Sequence, residues 1–137
     1  MKIYVLGFLF DNKGIVWLIR KARPEWQKGM LNGIGGHVEE NENTMTAMTR
    51  EFNEETGLTI LDWKKFCILT DEETYEVHCY FSFSDMEPKT MTDEEVIWYN
   101  INCLPTDIIP NLNLLIPMAL SFDKIKCETY IVKEHGF

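Results

Sequence analysis

The 137-residue chain carries 22 acidic against 13 basic side chains, a net charge of −9, with 45% hydrophobic and 26% charged residues. That composition suits one globular domain, 1–137, with a core of its own. The acidic balance excludes stable binding to duplex nucleic acid or an anionic membrane surface, both of which need a basic face.

In chain order, Lys2 to Phe10 reads as a strand. Its apolar run is too short for a secretory leader and no small-residue cleavage site follows. Asp11 to Lys13 forms a turn into a second strand, Gly14 to Arg20. Lys21 to Met30, with Pro24 and Gly29, is a loop, and Leu31 to Val38 returns toward the sheet. Asn43 or Thr44 caps a helix that ends at Thr56-Gly57. Ile60 to Thr70 and Thr74 to Ser84 make a strand pair around Asp71-Glu72-Glu73, and Val96 to Ile101 is a short strand. Leu112 to Phe122 has helical spacing, with Pro117 placed near the helix start, and Lys126 to Val132 is a final strand. Mixed strands with two separated helices predict an α/β/α sandwich with a mixed sheet. No run approaches the roughly 18 to 20 apolar residues of a membrane-spanning helix. The cysteines, Cys67, Cys79, Cys103 and Cys127, show no CxxC spacing. Reduced, mostly buried thiols and a cytoplasmic location are expected. His78 alternates within its strand as a surface or partly buried side chain.

The first helix is the informative one. With Glu51 at zero on a helical wheel, Glu54 lies near −60° and Glu55 near +40°, while Met45, Met48 and Phe52 fall between about 60° and 120°. The sequence therefore predicts a core-facing apolar stripe beside an acidic one. Clustered carboxylates repel one another, and at a helix C-terminus they also oppose the macrodipole. Such a helix needs a cation. Only oxygen donors are present and no His or Cys lies in the cluster, which favours Mg²⁺, with Mn²⁺ as substitute, over Zn²⁺. Because Mg²⁺ completes its shell with water and phosphate oxygens, the implied substrate is a phosphate compound.

The window Gly36 to Leu58 resembles the Nudix box of the Nudix hydrolases. Gly36, Glu42, Arg50-Glu51-Phe52, Glu54-Glu55 and Gly57-Leu58 stand at the spacings of that pattern, Phe52 replacing the usual aliphatic residue. The resemblance covers nearly the whole chain and implies a pyrophosphohydrolase. Glu51, Glu54 and Glu55 would be metal ligands, with the carbonyl of Gly35 as a further one. Arg50 would orient the carboxylates and Glu42 would support the loop and helix. Glu54 and Glu94 are the two leading candidates for the general base, with Asp93 and Glu95 kept as alternatives beside the second. Glycine at 35 and 36 also permits close approach of main chain to a ligand.

Leu31-Asn32-Gly33-Ile34-Gly35-Gly36 is similar to the corresponding stretch of nucleoside triphosphate pyrophosphatases that remove oxidised purine nucleotides, which makes Asn32 a candidate base contact. Ile109-Pro110-Asn111-Leu112 aligns with a segment that carries paired acids in the mammalian oxidised-purine enzyme; here both acids are missing and Asn111 is the candidate contact. The proline of ADP-ribose hydrolases downstream of the box is replaced by Thr74. Tyr75 lies where dinucleoside polyphosphate hydrolases carry a tyrosine. The expected reaction is Mg²⁺-dependent conversion of a (d)NTP, normal or oxidised, to NMP and pyrophosphate, by a monomer or homodimer. The alternatives are hydrolysis of a dinucleoside polyphosphate, ADP-ribose or a nucleotide sugar, and a non-catalytic nucleotide-binding module.

Overall fold

Along Lys2–Phe10 (β1) side chains alternate between two cores, Val5 and Leu9 on one face of the sheet and Leu6, Phe8 and Phe10 on the other. This is the period-2 pattern of a strand covered on both sides. The protein, seen in a computed structural model, is described over residues 1–125 and 128–135. β1 pairs in parallel with Tyr75–Phe83 (β6) along its whole length. Its other edge is shared. The end of β1 pairs antiparallel with Ile15–Arg20 (β2) at Leu9↔Trp17 and Phe10↔Val16, while its first half pairs with Ile34–His37 (β4) from Tyr4↔His37 to Gly7↔Ile34. β1 and β2 thus part company beyond the hairpin.

Leu31–Asn32 (β3) stays with β2 at Ile19↔Asn32 and Arg20↔Leu31. The single return run read from the sequence is therefore two strands broken at Gly33, where a Cβ would come within 2.9 Å of the Phe8 ring and 3.0 Å of Leu6. Lys64–Thr70 (β5), Val96–Asn100 (β7) and Tyr130–Lys133 (β8) complete a sheet of order β3-β2-β1-β6-β5-β8, with β4 on β1 and β7 on β2.

Thr44–Thr56 (α1) covers one face against Val5, Leu9, Ile34, Trp63 and Tyr80. Leu112–Ile125 (α2) covers the other against Leu31, Phe66, Cys67 and Phe81. The mixed α/β sandwich expected from the sequence is the fold observed. Asn43 caps α1, its Oδ1 accepting the Thr46 N–H at 2.8 Å, and Gly57 ends the helix at φ 79°, a conformation that costs glycine least. Thr44, the other cap expected, is instead the first helical residue, its hydroxyl 2.6 Å from that of Tyr80.

Three further expectations need correction. Met45 is 43% exposed, whereas Ala47, Met48, Phe52 and Thr56 are buried. The buried arc thus runs wider than the apolar stripe, from Ala47 to Thr56, and Met45 in the first turn stands outside the core; Glu51 and Glu55 are half-buried beside that arc while Glu54 faces outward. Residues 60–63 are not strand. The Ile60 carbonyl accepts from Thr49 Oγ1 at 3.1 Å, Trp63 meets Phe52 edge-on at 5.1 Å between ring centres, and Ser82 of β6 donates to Asp62 Oδ1 at 2.9 Å, so side-chain contacts with α1 and β6, not a strand ladder, hold the segment. Of the final strand, 126–127 lie outside the described residues, 128–129 are not strand, and pairing with β5 begins at Tyr130. The described cysteines are mostly buried, as expected: Cys67 and Cys79 are buried free thiols and Cys103 is exposed, while Cys127 is outside the described residues. α2 runs through Pro117, in its second turn and on its exposed side.

Candidate active site

α1 crosses the sheet so that its last two turns overlie β4, and β4 there is Gly35-Gly36. A Cβ on Gly36 would stand 2.5 Å from the Glu51 carboxyl carbon. Only hydrogen fits beneath that carboxylate, which explains why the helix can bring an acid down onto the strand. A Cβ on Gly35 would stand 1.9 Å from the Val5 carbonyl oxygen, so this residue sets the approach of β4 to β1.

Arg50 organises the acids. Its Nε donates to Glu42 Oε2 at 2.8 Å and its Nη2 to Glu42 Oε1 at 2.9 Å, a two-pronged pair, while Nη2 also reaches the His37 carbonyl at 3.0 Å. Its Nη1 donates to Glu51 Oε1 at 2.9 Å and to Glu54 Oε1 at 3.2 Å, with Glu39 at 3.8 Å. One guanidinium therefore joins the loop after β4 to the acidic turns of α1. The hydrogen bonds from Arg50 hold the Glu42 carboxyl below its usual range and, reciprocally, raise the pKa of Arg50, Glu42 contributing most. Glu51 is different: burial pushes its carboxyl up, and Arg50 only partly opposes this. Glu55 is also pushed up, first by burial and further by the negative charge of Glu94, against a hydrogen bond from Thr92 and the charge of Lys21.

Replacing Arg50 by alanine leaves Glu42 and Glu51, whose side chains are only 11% and 13% exposed, without their cation. Breaking one side of a largely buried pair costs several kcal/mol, less where solvent reaches it, so Arg50→Ala is expected to lower unfolding free energy by about 2 kcal/mol. Urea denaturation measures this; a midpoint equal to that of the native protein contradicts it.

The remaining candidates lie farther along the chain. Glu94, 5% exposed at its side chain, accepts the Ala22 N–H at 2.7 Å and Lys21 Nζ at 3.3 Å, and Arg23 pairs with neighbouring Asp93. Glu94 lies close enough to act on Glu55 electrostatically but does not join the Arg50 cluster. Asn32 accepts the Gly33 N–H at 2.8 Å and donates to Gln27 Oε1 at 3.1 Å, so half of its hydrogen-bonding capacity serves its own turn. The Asn111 Oδ1 is buried, with no hydrogen-bond partner among the described residues. Segment 107–109 binds Leu31 through Leu31 N–H to Asp107 O and Ile109 N–H to Leu31 O, both at 2.9 Å, which brings the start of α2 to the edge of the strand that carries Asn32. Tyr75 is a strand residue whose hydroxyl donates to Glu134 at 2.7 Å; burial and that acid push its pKa up to about 12. His78 is buried beside Glu76, 2.9 Å away.

Lys21, Arg23 and Thr92 were not singled out in the sequence. Arg20-Lys21-Ala22-Arg23 is a basic run in an acidic chain, and that contrast was the available signal. Nothing local marks Thr92.

Donor chemistry at the acidic face fits a hard divalent cation, since the candidate ligand side chains Glu51, Glu54 and Glu55 offer carboxylate oxygens alone and Gly36 leaves room for the Glu51 carboxylate. The acids do not close a cage: Glu51 and Glu54 turn to Arg50 and Glu55 to Thr92, and among the described residues no three His, Cys, Asp or Glu side chains are gathered as a metal-binding group. A one-sided face of this kind suits an ion that retains water and phosphate ligands.

Residues 2–115 match the family model described as NUDIX domain. Among solved structures, a MutT NUDIX hydrolase from Burkholderia pseudomallei superposes with a TM-score of 0.74 at 19% identity, covering 85% of this chain and 96% of that one. A structure from a study of MutT from Aliivibrio salmonicida and Vibrio cholerae gives 0.70 at 22%, covering 88% and 98%. The NUDIX domain of Shewanella oneidensis NrtR, complexed with ADP ribose, gives 0.71 at 17%, covering 87% and 86%. These likenesses concern the fold.

Proposed function

Since the chain belongs to the NUDIX family and with it to the hydrolases of diphosphate bonds, we propose that it is a Mg²⁺-dependent pyrophosphohydrolase converting a purine (d)NTP, normal or oxidised, to NMP and pyrophosphate. The carrying observation is the carboxylate face of α1, with Glu51 and Glu54 gathered by Arg50, Glu51 seated above Gly36, and Glu55 held by Thr92. A structural helix gains nothing from three acids in its last two turns, where they oppose the macrodipole.

Glu51, Glu54 and Glu55, with the Gly35 carbonyl, would hold Mg²⁺; Mn²⁺ supplies the same hard-ligand chemistry. When bound, the ion neutralises diphosphate charge and activates water. Arg50 keeps Glu51 and Glu54 together and Glu42 anchors Arg50, so the acids stay aligned before substrate arrives. Glu54, 54% exposed at its side chain, is the better placed of the two candidate bases to take a water proton. Glu94, with 5% of its side chain exposed and fastened to Ala22 and Lys21, holds the loop after β2 near Glu55.

Asn32 retains one N–H and one lone pair after its local bonds, and the buried Asn111 Oδ1 has no hydrogen-bond partner among the described residues. Together they offer a donor and acceptors suited to a purine edge. The test is to incubate the purified protein with dNTPs, oxidised dNTPs, ADP-ribose and diadenosine polyphosphates and resolve the products. NMP plus pyrophosphate from a purine triphosphate supports the proposal. Turnover of ADP-ribose or a dinucleoside polyphosphate alone moves the protein to the alternative substrate class, and no turnover of any leaves a nucleotide-binding module.

A further inference from the structure

The loop between β6 and β7 is tied to the end of α1 by a set of contacts that family membership does not assign. The Lys89 N–H donates to the Thr56 carbonyl at 3.0 Å and the Met91 N–H to the Glu55 carbonyl at 3.3 Å. These carbonyls lie in the last turn of α1, where a helix has no partners of its own to offer. Next in the chain, Thr92 makes two contacts through one oxygen. Its Oγ1 donates to Glu55 Oε2 at 3.0 Å and accepts the Glu94 N–H at 3.1 Å. Glu94 is buried and fastened to Ala22 and Lys21, so Thr92 sits between a candidate metal ligand and the loop that carries the second acid.

We propose that Thr92 is a positioning residue, whose hydroxyl fixes the Glu55 carboxylate for divalent metal and couples it to the Glu94 loop. The inference rests on the proposed metal-dependent hydrolase. Its physical basis is the competition at Glu55. This carboxylate is partly desolvated and lies near the like charge of Glu94, so its direction has to be held by a donor, and Arg50 makes no hydrogen bond to it among the described contacts. The Thr92 hydroxyl proton is held toward Glu55 because the oxygen lone pair is engaged by the Glu94 N–H. One carboxylate oxygen is thereby occupied and the other is left for an ion. Groups that orient a metal ligand in this way typically change metal affinity by about 10-fold or more when removed.

The experiment compares the native protein with Thr92→Val, Thr92→Ala and Thr92→Ser. Mn²⁺ binding to the nucleotide-free protein is followed by electron paramagnetic resonance, and the Mg²⁺ dependence of hydrolysis is measured in parallel. Because Thr92 is exposed, the variants are expected to keep the native circular dichroism and unfolding midpoint. Thr92→Val and Thr92→Ala should weaken Mn²⁺ binding by about 10-fold and raise the Mg²⁺ concentration needed for half-maximal rate to a similar degree. Saturating Mg²⁺ should recover most of the rate, and Thr92→Ser should restore both quantities. Native Mn²⁺ affinity in folded valine and alanine variants, or failure of serine to restore it, overturns the role of Thr92. Absence of Mn²⁺ binding or of hydrolysis in the native protein overturns the underlying hydrolase reading instead, so the two failures are distinguishable.

Discussion

Glu54→Gln is expected to lower turnover by about 10²- to 10⁴-fold while leaving the fold intact. Glu54 projects outward from α1, 54% exposed, and its protein contacts are the two longer bonds to Arg50 Nη1 at 3.2 and 3.4 Å. The amide keeps the size of the side chain but removes the charge that would face a cation and the site that would accept a water proton. Little stability should follow it, because no core packing is lost and Arg50 retains Glu42 and Glu51. Steady-state hydrolysis of the preferred triphosphate, with an unfolding curve on the same sample, separates the two effects. Near-native activity in a folded variant would show that the reacting centre is elsewhere.

Gly35→Ala should act in the opposite way, through the fold first. Its Cβ would lie 1.9 Å from the Val5 carbonyl oxygen, 2.7 Å from the Val5 carbonyl carbon and 2.9 Å from Leu6 Cα. All three are backbone atoms of β1, so no side-chain rotation relieves the overlap, and β4 has to separate from the central strand. Overpacking of this kind costs about 3 kcal/mol or more, a large share of the ~5–15 kcal/mol that holds a domain together. The register Leu6↔Gly35 and Val5↔Gly36 would be lost, and with it the floor under Glu51. Denaturant unfolding measures the effect, and a loss below about 1 kcal/mol would mean that β1 and β4 do not approach as described.

Much of the fold was legible because its strands are strongly patterned. Lys2–Phe10 and Val96–Asn100 begin where the sequence placed them, and α1 ends at the expected glycine. What failed has a common cause: periodicity gives the angle of a side chain around a helix but not what lies beneath it. Met45 belonged to the apolar stripe on the wheel, yet in the first turn it stands clear of the core, while the buried arc widens to Ala47 and Thr56 and Gly36 leaves room for the Glu51 carboxylate. Likewise residues 60–63 look like strand by composition but are held by side-chain contacts, from Thr49 and Phe52 of the helix and from Ser82 of β6.

The candidate site divides along the same line. Arg50, Glu51, Glu54 and Glu55 could be grouped from spacing alone, since one helix carries them. The contacts of Thr92 with Glu55, of Lys21 with Glu94, and of segment 107–109 with Leu31 span 37, 73 and more than 70 residues of chain and depend on the sheet that brings them together. A hydroxyl or a lysine in a loop has no periodic signature. Asn32 shows the converse: its motif suggested a base contact, and half of its capacity proves to hold the turn that carries it.

The most direct test of the account is the rate at which the native protein hydrolyses its preferred nucleotide with Mg²⁺ and then with excess EDTA. The carboxylate face predicts a loss of about 10²-fold or more on chelation, reversed by adding Mg²⁺ beyond the chelator. An unchanged rate in EDTA would contradict it, because Glu51, Glu54 and Glu55 would then have been gathered on one helix for something other than a divalent cation.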